Sequence, residues 1–163
     1  MNMRIVATIQ IALISFFMFA DQNLLGPNMT QIGQDFGFFT ESDIDYYIGG
    51  LINLAFWILG GTVSLFIGYF TDIISRRKLF ALIVIIGEIP CLLSGFSETY
   101  TQFFIMRALT GLGIGGIIPI TYSLLGDYYA PKERIKVVTL IGFASGLGVA
   151  IGQLVSGMLG ETF

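Results

Sequence analysis

Three ionisable side chains stand inside stretches that otherwise carry no charge: Asp21, Glu88 and Arg107. In lipid each costs about 2.5–3.5 kcal/mol at a helix centre, so each must be paired or must face a polar cavity. A carboxyl and a guanidinium in that setting support two kinds of chemistry. They neutralise each other as a buried pair, or the carboxyl takes and releases a proton as the guanidinium leaves and returns. Depth selects the partners. At 1.5 Å per residue, Asp21 lies ~24 Å along its helix from Ile5, and Arg107 lies ~10 Å from the opposite boundary at Tyr100. In a hydrocarbon core about 30 Å thick, both fall in the same half. Glu88 lies ~15 Å from Lys78, nearer the midplane. The expected pair is Asp21 with Arg107, either structural or proton-coupling. Glu88, beside Pro90, has a plainer role open to it, hydrogen bonding near the carbonyl that the proline leaves free. Gln22, Asn23, Asn53, Trp57 and Gln153 are further candidates to line a cavity. Polar groups of this kind also serve as interhelical hydrogen bonds worth about 0.6 kcal/mol each.

Composition says what must hold these groups. The chain has 163 residues, 55% hydrophobic and only 12% charged. Soluble domains carry about 25% charged residues, and a water-soluble globule this apolar would expose large sticky patches. An integral membrane protein is expected, with the lipid bilayer as its first partner. There is no histidine and one cysteine, Cys91. That removes His-based general bases, His metal sites, Ser–His nucleophile pairs and intrachain disulfides. Ser94, Ser145 and Ser156 therefore lack a base, and neither an enzyme, a cofactor nor a metal is expected. The net charge of -3 argues against a nucleic-acid partner, which wants a basic face.

The apolar runs predict an all-α, polytopic protein in one domain over 1–163, with five transmembrane helices at about 5–25, 46–71, 79–97, 100–126 and 137–160. The first run has a rival reading as a signal peptide cut after Ala20, but Met18 would then stand three residues before the cut, where a small residue belongs. Residues 28–43 are polar and short-helical at best. Seven of the eight Lys and Arg residues flank one side: Arg4, Arg76, Arg77, Lys78, Lys132, Arg134 and Lys136. The opposite loops hold Asp35, Glu41, Asp43, Asp45, Glu98 and Glu161. The positive-inside rule then places the N-terminus in the cytoplasm, with a plasma (inner) membrane as the expected location.

Between the second and third spans the chain reads Gly68-Tyr69-Phe70-Thr71-Asp72-Ile73-Ile74-Ser75-Arg76-Arg77-Lys78. This resembles the signature loop of the major facilitator superfamily, matched at Gly68, Asp72, Arg76 and Arg77. Ile73 and Ser75 depart from it, standing where a basic residue and a glycine belong. Arg107-Ala108-Leu109-Thr110-Gly111-Leu112-Gly113-Ile114-Gly115-Gly116 is similar to the family's fourth-helix motif. Asp127-Tyr128-Tyr129-Ala130-Pro131-Lys132-Glu133-Arg134 is similar to its loop between the fourth and fifth helices. The resemblance covers the whole chain but only the first five helices of a twelve-helix fold, so the missing C-terminal helices are an expected partner. It implies secondary transport of a small solute by alternating access, with the proton as a candidate coupling ion. The alternative is a truncated, non-transporting membrane fragment or interaction module. It also implies that Asp72 and Asp127 latch the basic residues Arg76, Arg77 and Arg134. An Asp on the first helix and an Arg on the fourth resemble spinster-like lipid transporters and some organic-acid symporters. Gln22 and Gly116 depart from the spinster pattern, which has Arg and Glu there.

Gly111, Gly113 and Gly116 also spell a dinucleotide fingerprint, which requires a preceding strand. Inside an apolar span the glycines read instead as close helix packing. The same reading applies to Gly115, to Gly60, Ser64 and Gly68, and to Gly142, Gly146, Gly148 and Gly152. Whether these faces are static or slide during a conformational cycle is open at the level of sequence.

Overall fold

The computed structural model describes residues 3–160, helical throughout its long segments and without a strand among those residues. Helix α1 runs Met3–Gln22. A short turn at Gly26–Asn28 leads into α2, Met29–Asp35. Helix α3, Glu41–Ile44, passes through a π-helical stretch, Asp45–Leu51, into α4, Ile52–Ile73. Then come α5, Arg76–Ser94, α6, Tyr100–Tyr128, and α7, Pro131–Gly160. Four continuous stretches are long and apolar enough to cross a membrane: Met3–Asp35, Glu41–Ile73, Tyr100–Tyr128 and Pro131–Leu159. Helix α5 has 19 residues, ~28 Å of helix, but carries Arg76, Arg77, Lys78 and Glu88. With α5, five long helices make up an integral, multi-pass membrane protein.

Helix α6 is the hub. It packs against α4 on one side and α5 on the other, while α7 packs along α1. Its buried side chains, Ile114, Ile117, Ile120, Leu124 and Leu125 among them, join Met18, Phe56, Ile67, Leu79, Phe80, Ile83 and Ile141 in the main core. Large apolar side chains such as Leu65, Leu92 and Leu154 point outward, as they must where the solvent is hydrocarbon.

Glycine sets how near the backbones come. A Cβ on Gly60 would lie 2.7 Å from the Gly111 carbonyl oxygen, and one on Gly115 would overlap Gly60. Gly111 meets the Phe56 carbonyl, Gly113 meets Gly87, and on α7 Gly148 and Gly152 meet the carbonyls of Phe16 and Ala20. Such contacts exist only between small residues. The expected packing at Gly142 and Gly146 is not made among the described residues: both are exposed with open space around them. Gly68 and Ser64 are likewise exposed. The reason is rotational. Two residues on a helix turn the chain about 200°, so Gly146 and Gly148 lie on opposite faces and only one can meet α1.

Helix ends extend past the charge boundaries. Residues 127–136 are expected as a loop, yet only Tyr129 and Ala130 separate α6 from α7. Pro131 is preorganised for a first helical position, Glu133 suits the first turn, and Lys and Arg are good helix formers. At the other face, Thr99 caps α6 by accepting from the Gln102 amide at 3.3 Å, while Gln102 Oε1 accepts from the Glu98 amide at 3.0 Å. This is a variant of the reciprocal capping box. Beside it, rings of Phe36, Phe38, Tyr47, Tyr100 and Phe103 form an aromatic cluster, with Phe38 stacked on Tyr47 at 4.7 Å. The Tyr100 hydroxyl donates to the Tyr47 carbonyl at 2.9 Å, within the π-helical stretch where the regular ladder shifts by one residue.

Candidate functional site

Arg107 projects from the second turn of α6 and is half-buried. Its guanidinium lies 5.4 Å above the Phe103 ring, and Nη1 reaches Cys91 Sγ of α5 at 3.8 Å. Its Nε is buried with no hydrogen-bond partner among the described residues. The expected Asp21–Arg107 ion pair is not formed: among the described residues the ion pair is Arg76–Asp127, at the opposite face. Asp21 faces Glu88 instead. The two carboxyls share a cavity of about 340 Å³ between α1, α5 and α7, otherwise apolar, with Phe16, Phe17 and Val155 in its wall. Cys91 lies within electrostatic reach of Arg107, Asp21 and Glu88, so the four groups form one cluster. Depth was sufficient to place Asp21 and Arg107 in one layer. It could not tell which way round the helix Asp21 points.

Gln22 is one residue on, about 100° round α1, and it lines a cavity with the arginine. A cavity of about 230 Å³ is walled by Gln22, Asn23, Asn53, Phe56, Trp57 and Arg107, among others. Asn23 Nδ2 donates to the Phe19 carbonyl at 2.7 Å, and Asn53 Nδ2 to the Gly49 carbonyl at 2.6 Å. Each amide is thereby held by the preceding turn of its own segment, with its oxygen and second hydrogen left over. A neighbouring cavity of about 380 Å³, on the acidic face, is bordered by Arg107 together with Asp35, Ser94 and Glu98. Gln153 is exposed and joins neither wall. A smaller, mostly apolar pocket of about 120 Å³ among α1, α6 and α7 includes the hydroxyls of Ser15, Thr121 and Ser145 in its wall. Sequence reading missed Cys91, Ser15 and Thr121 as members of these sites. Hydroxyls and a thiol inside an apolar run carry no charge to flag them.

The basic face is built around the end of α6. Its last carbonyls have no partner within the helix, and the dipole there favours cations. Arg76 pairs with Asp127 and also donates to the Ser123 carbonyl at 3.4 Å. Arg134 donates to the Gly126 and Tyr129 carbonyls, each at 3.4 Å. Arg77 lies 5.5 Å over the Tyr128 ring. Asp72 is exposed and makes no ion pair among the described residues, so Asp127 alone supplies the carboxylate side of this cluster. The Tyr129 hydroxyl bonds Thr8 Oγ1 at 2.7 Å and the Arg4 carbonyl at 3.2 Å, tying α1 to the α6–α7 junction. At the other end Ser156 donates to the Leu24 carbonyl and accepts from Asn28 at 2.8 Å, tying α7 to the end of α1.

With this geometry in hand, comparison with known proteins is direct. A family model described as Major Facilitator Superfamily matches residues 11–163. A benzoate transport protein of Acinetobacter baylyi is 41% identical over 88 residues, 54% of this chain and 18% of the relative. The chloramphenicol resistance protein CraA of Acinetobacter baumannii is 24% identical over 152 residues, 91% of this chain and 35% of the relative. The crystal structure of a bacterial homolog to the human lysosomal transporter spinster, in an inward-facing and occupied conformation, superposes with a TM-score of 0.80 at 23% identity, covering 98% of this chain and 33% of that one. The matches thus cover from about a fifth to about a third of the length of these proteins.

Proposed function

Because the chain belongs to the major facilitator superfamily, we propose that the full-length protein containing it is a transporter and not an enzyme, moving a small solute across the membrane by alternating access. In this fold class two halves rock around a midplane site, so the missing C-terminal helices supply the other wall. The observation that carries the reading is the placing of Asp21, Glu88 and Arg107, from three helices, in the walls of two cavities, with Cys91 between them in reach of all three. Ionisable groups in lipid that are not paired off one to one mark a solute or ion pathway. Facing carboxyls on neighbouring membrane helices are the kind of group that carries protons in pumps and transporters. Asp21 with Glu88 is therefore the proton-coupling element, and Arg107, Gln22 and Asn53 are the solute-facing groups. The Arg76–Asp127 pair and the cations around it act as the conformational latch on the cytoplasmic side, with the N-terminus cytoplasmic and the plasma membrane as the location.

The test is made on the full-length protein in proteoliposomes, comparing uptake against a gradient with exchange at equilibrium. Asp21→Asn should abolish accumulation and spare exchange, since exchange need not release the proton. Full accumulation by Asp21→Asn would remove the coupling role. The chain's short span of its relatives keeps a second reading in view, a membrane fragment that inserts and transports nothing. Apolar segments encoded in frame beyond Phe163 would decide against it.

A further inference from the structure

We propose that the small cavity among α1, α6 and α7 binds an ordered water, held by the hydroxyls of Ser15, Thr121 and Ser145. The site does not depend on the transport reading above, and it lies apart from the cavities that border Arg107, Asp21 and Glu88.

The buried hydroxyls point there. Among the described residues six Ser and Thr side chains are buried: Thr8, Ser15, Ser94, Thr110, Thr121 and Ser156. Four of these have partners. Thr8 bonds the Arg4 carbonyl and the Tyr129 hydroxyl, Ser94 donates to the Cys91 carbonyl, Thr110 to the Met106 carbonyl and Ser156 to the Leu24 carbonyl. Thr121 Oγ1 is enclosed without a hydrogen-bond partner among the described residues, and among them Ser15 makes no hydrogen bond either. These two stand on different helices, yet both line the same cavity. The third hydroxyl in its wall, Ser145, donates to the Ile141 carbonyl at 3.0 Å and keeps its lone pairs for a further donor.

A hydroxyl left without a partner in an apolar setting is costly. A purely apolar cavity stays dry, but a water is retained where it finds two to four polar partners and more than about 10–15 Å³ of room. Three hydroxyls share this wall, and about 120 Å³ is ample. A turn about χ1 exchanges the hydroxyl and the methyl of Thr121, and a helix leaves threonine two rotamers. Further helices of a longer protein do not alter the need. Ser15 and Thr121 are each only 3% exposed, so other segments can cover the mouth at Ile118 and Tyr122 without reaching either hydroxyl. Position gives the water its role. Ser15 lies ~15 Å along α1 from Ile5, midway through a hydrocarbon core about 30 Å thick. Glycine brings the backbones of α4 and α5 against α6 and, separately, that of α7 against α1. Among the described residues no such contact joins one group to the other. The cavity lies on this seam, with Ser15 and Ser145 on one side and Thr121 on the other. A water there is a polar link between the two groups inside the membrane core.

The experiment is a density map of the full-length protein, at a resolution that shows ordered waters, with thermal unfolding of variants in detergent beside it. The map should show one rounded peak within hydrogen-bond distance of the Ser15 and Thr121 oxygens. Ser15→Ala and Thr121→Val each remove one anchor and little volume, and each should lower the melting temperature by about 2–4 °C. The double variant should lose little more than the larger single, since one water serves both anchors. If Thr121 Oγ1 simply lacks a partner, Thr121→Val raises the melting temperature instead, because it removes a polar group that nothing satisfies. Thr121→Ser keeps the hydroxyl and should keep the peak, which holds the test open where the valine variant does not fold. A higher melting temperature in Thr121→Val, or additive losses in the double variant, would overturn the proposal. So would a map in which the two hydroxyls bond each other or their own helix carbonyls with no peak between them, or one with a lipid, detergent or solute atom in the water's place.

Discussion

Replacing Gly115 with alanine tests whether the glycine contacts between α4 and α6 set the fold. The added Cβ would fall onto the Gly60 carbonyl, with Gly60 Cα also too near. All the obstructing atoms are backbone, so no side chain can turn aside. The helices must separate by roughly an ångström, and a gap of 0.5–1 Å already forfeits a quarter to a half of the dispersion energy at each atom pair. Overpacking of this kind costs typically 1–3 kcal/mol or more. Against it stands the intrinsic gain of alanine over glycine in a helix, about 0.5–1 kcal/mol. The net expectation for Gly115→Ala is a loss of about 1–2 kcal/mol. Gly142→Ala and Gly146→Ala meet open space and should keep only the gain. The assay is thermal unfolding of the full-length protein in detergent, with all three variants side by side. A Gly115→Ala melting temperature equal to or above that of Gly146→Ala would refute the argument that this contact limits helix approach.

Three further outcomes follow from the geometry. In a Cys91→Ser background, a cysteine at Ser42 should react with an impermeant thiol reagent from outside, and one at Ser75 only after permeabilisation; reversed labelling would invert the orientation. Asp127→Asn should shift the balance between inward- and outward-facing states, read by cysteine accessibility in the cavity, by up to about fivefold. Its pair is 37% and 49% exposed and so worth only about 0–1 kcal/mol, and an effect no greater than that of Asp72→Asn would dissolve the latch as drawn. A double-mutant cycle on thermal stability should find Asp21→Asn and Glu88→Gln coupled by about 0.5–3 kcal/mol, the range for residues in contact. Stronger coupling of Asp21 to Arg107 than to Glu88 would restore the pair expected from depth.

The residues themselves determined the spans, the sidedness of charge and the family. Each is a one-dimensional property: a run of apolar residues measures hydrocarbon thickness, and charge cannot stay in lipid unsupported. The same logic misplaced helix ends, because charge marks where lipid stops and not where hydrogen-bonded turns stop, as residues 131–136 of α7 show. Rotation about each helix was decided only in the tertiary structure. Asp21 and Gln22 are neighbours in sequence, yet one lines a cavity with Glu88 and the other a cavity with Arg107. Gly146 and Gly148 are two residues apart, yet one meets open space and the other the backbone of α1. A helix turns about 100° per residue, and in a chain apolar on nearly every side no hydrophobic stripe shows which way is in. Only the contact of backbone on backbone, glycine by glycine, fixes that angle and with it which polar groups meet.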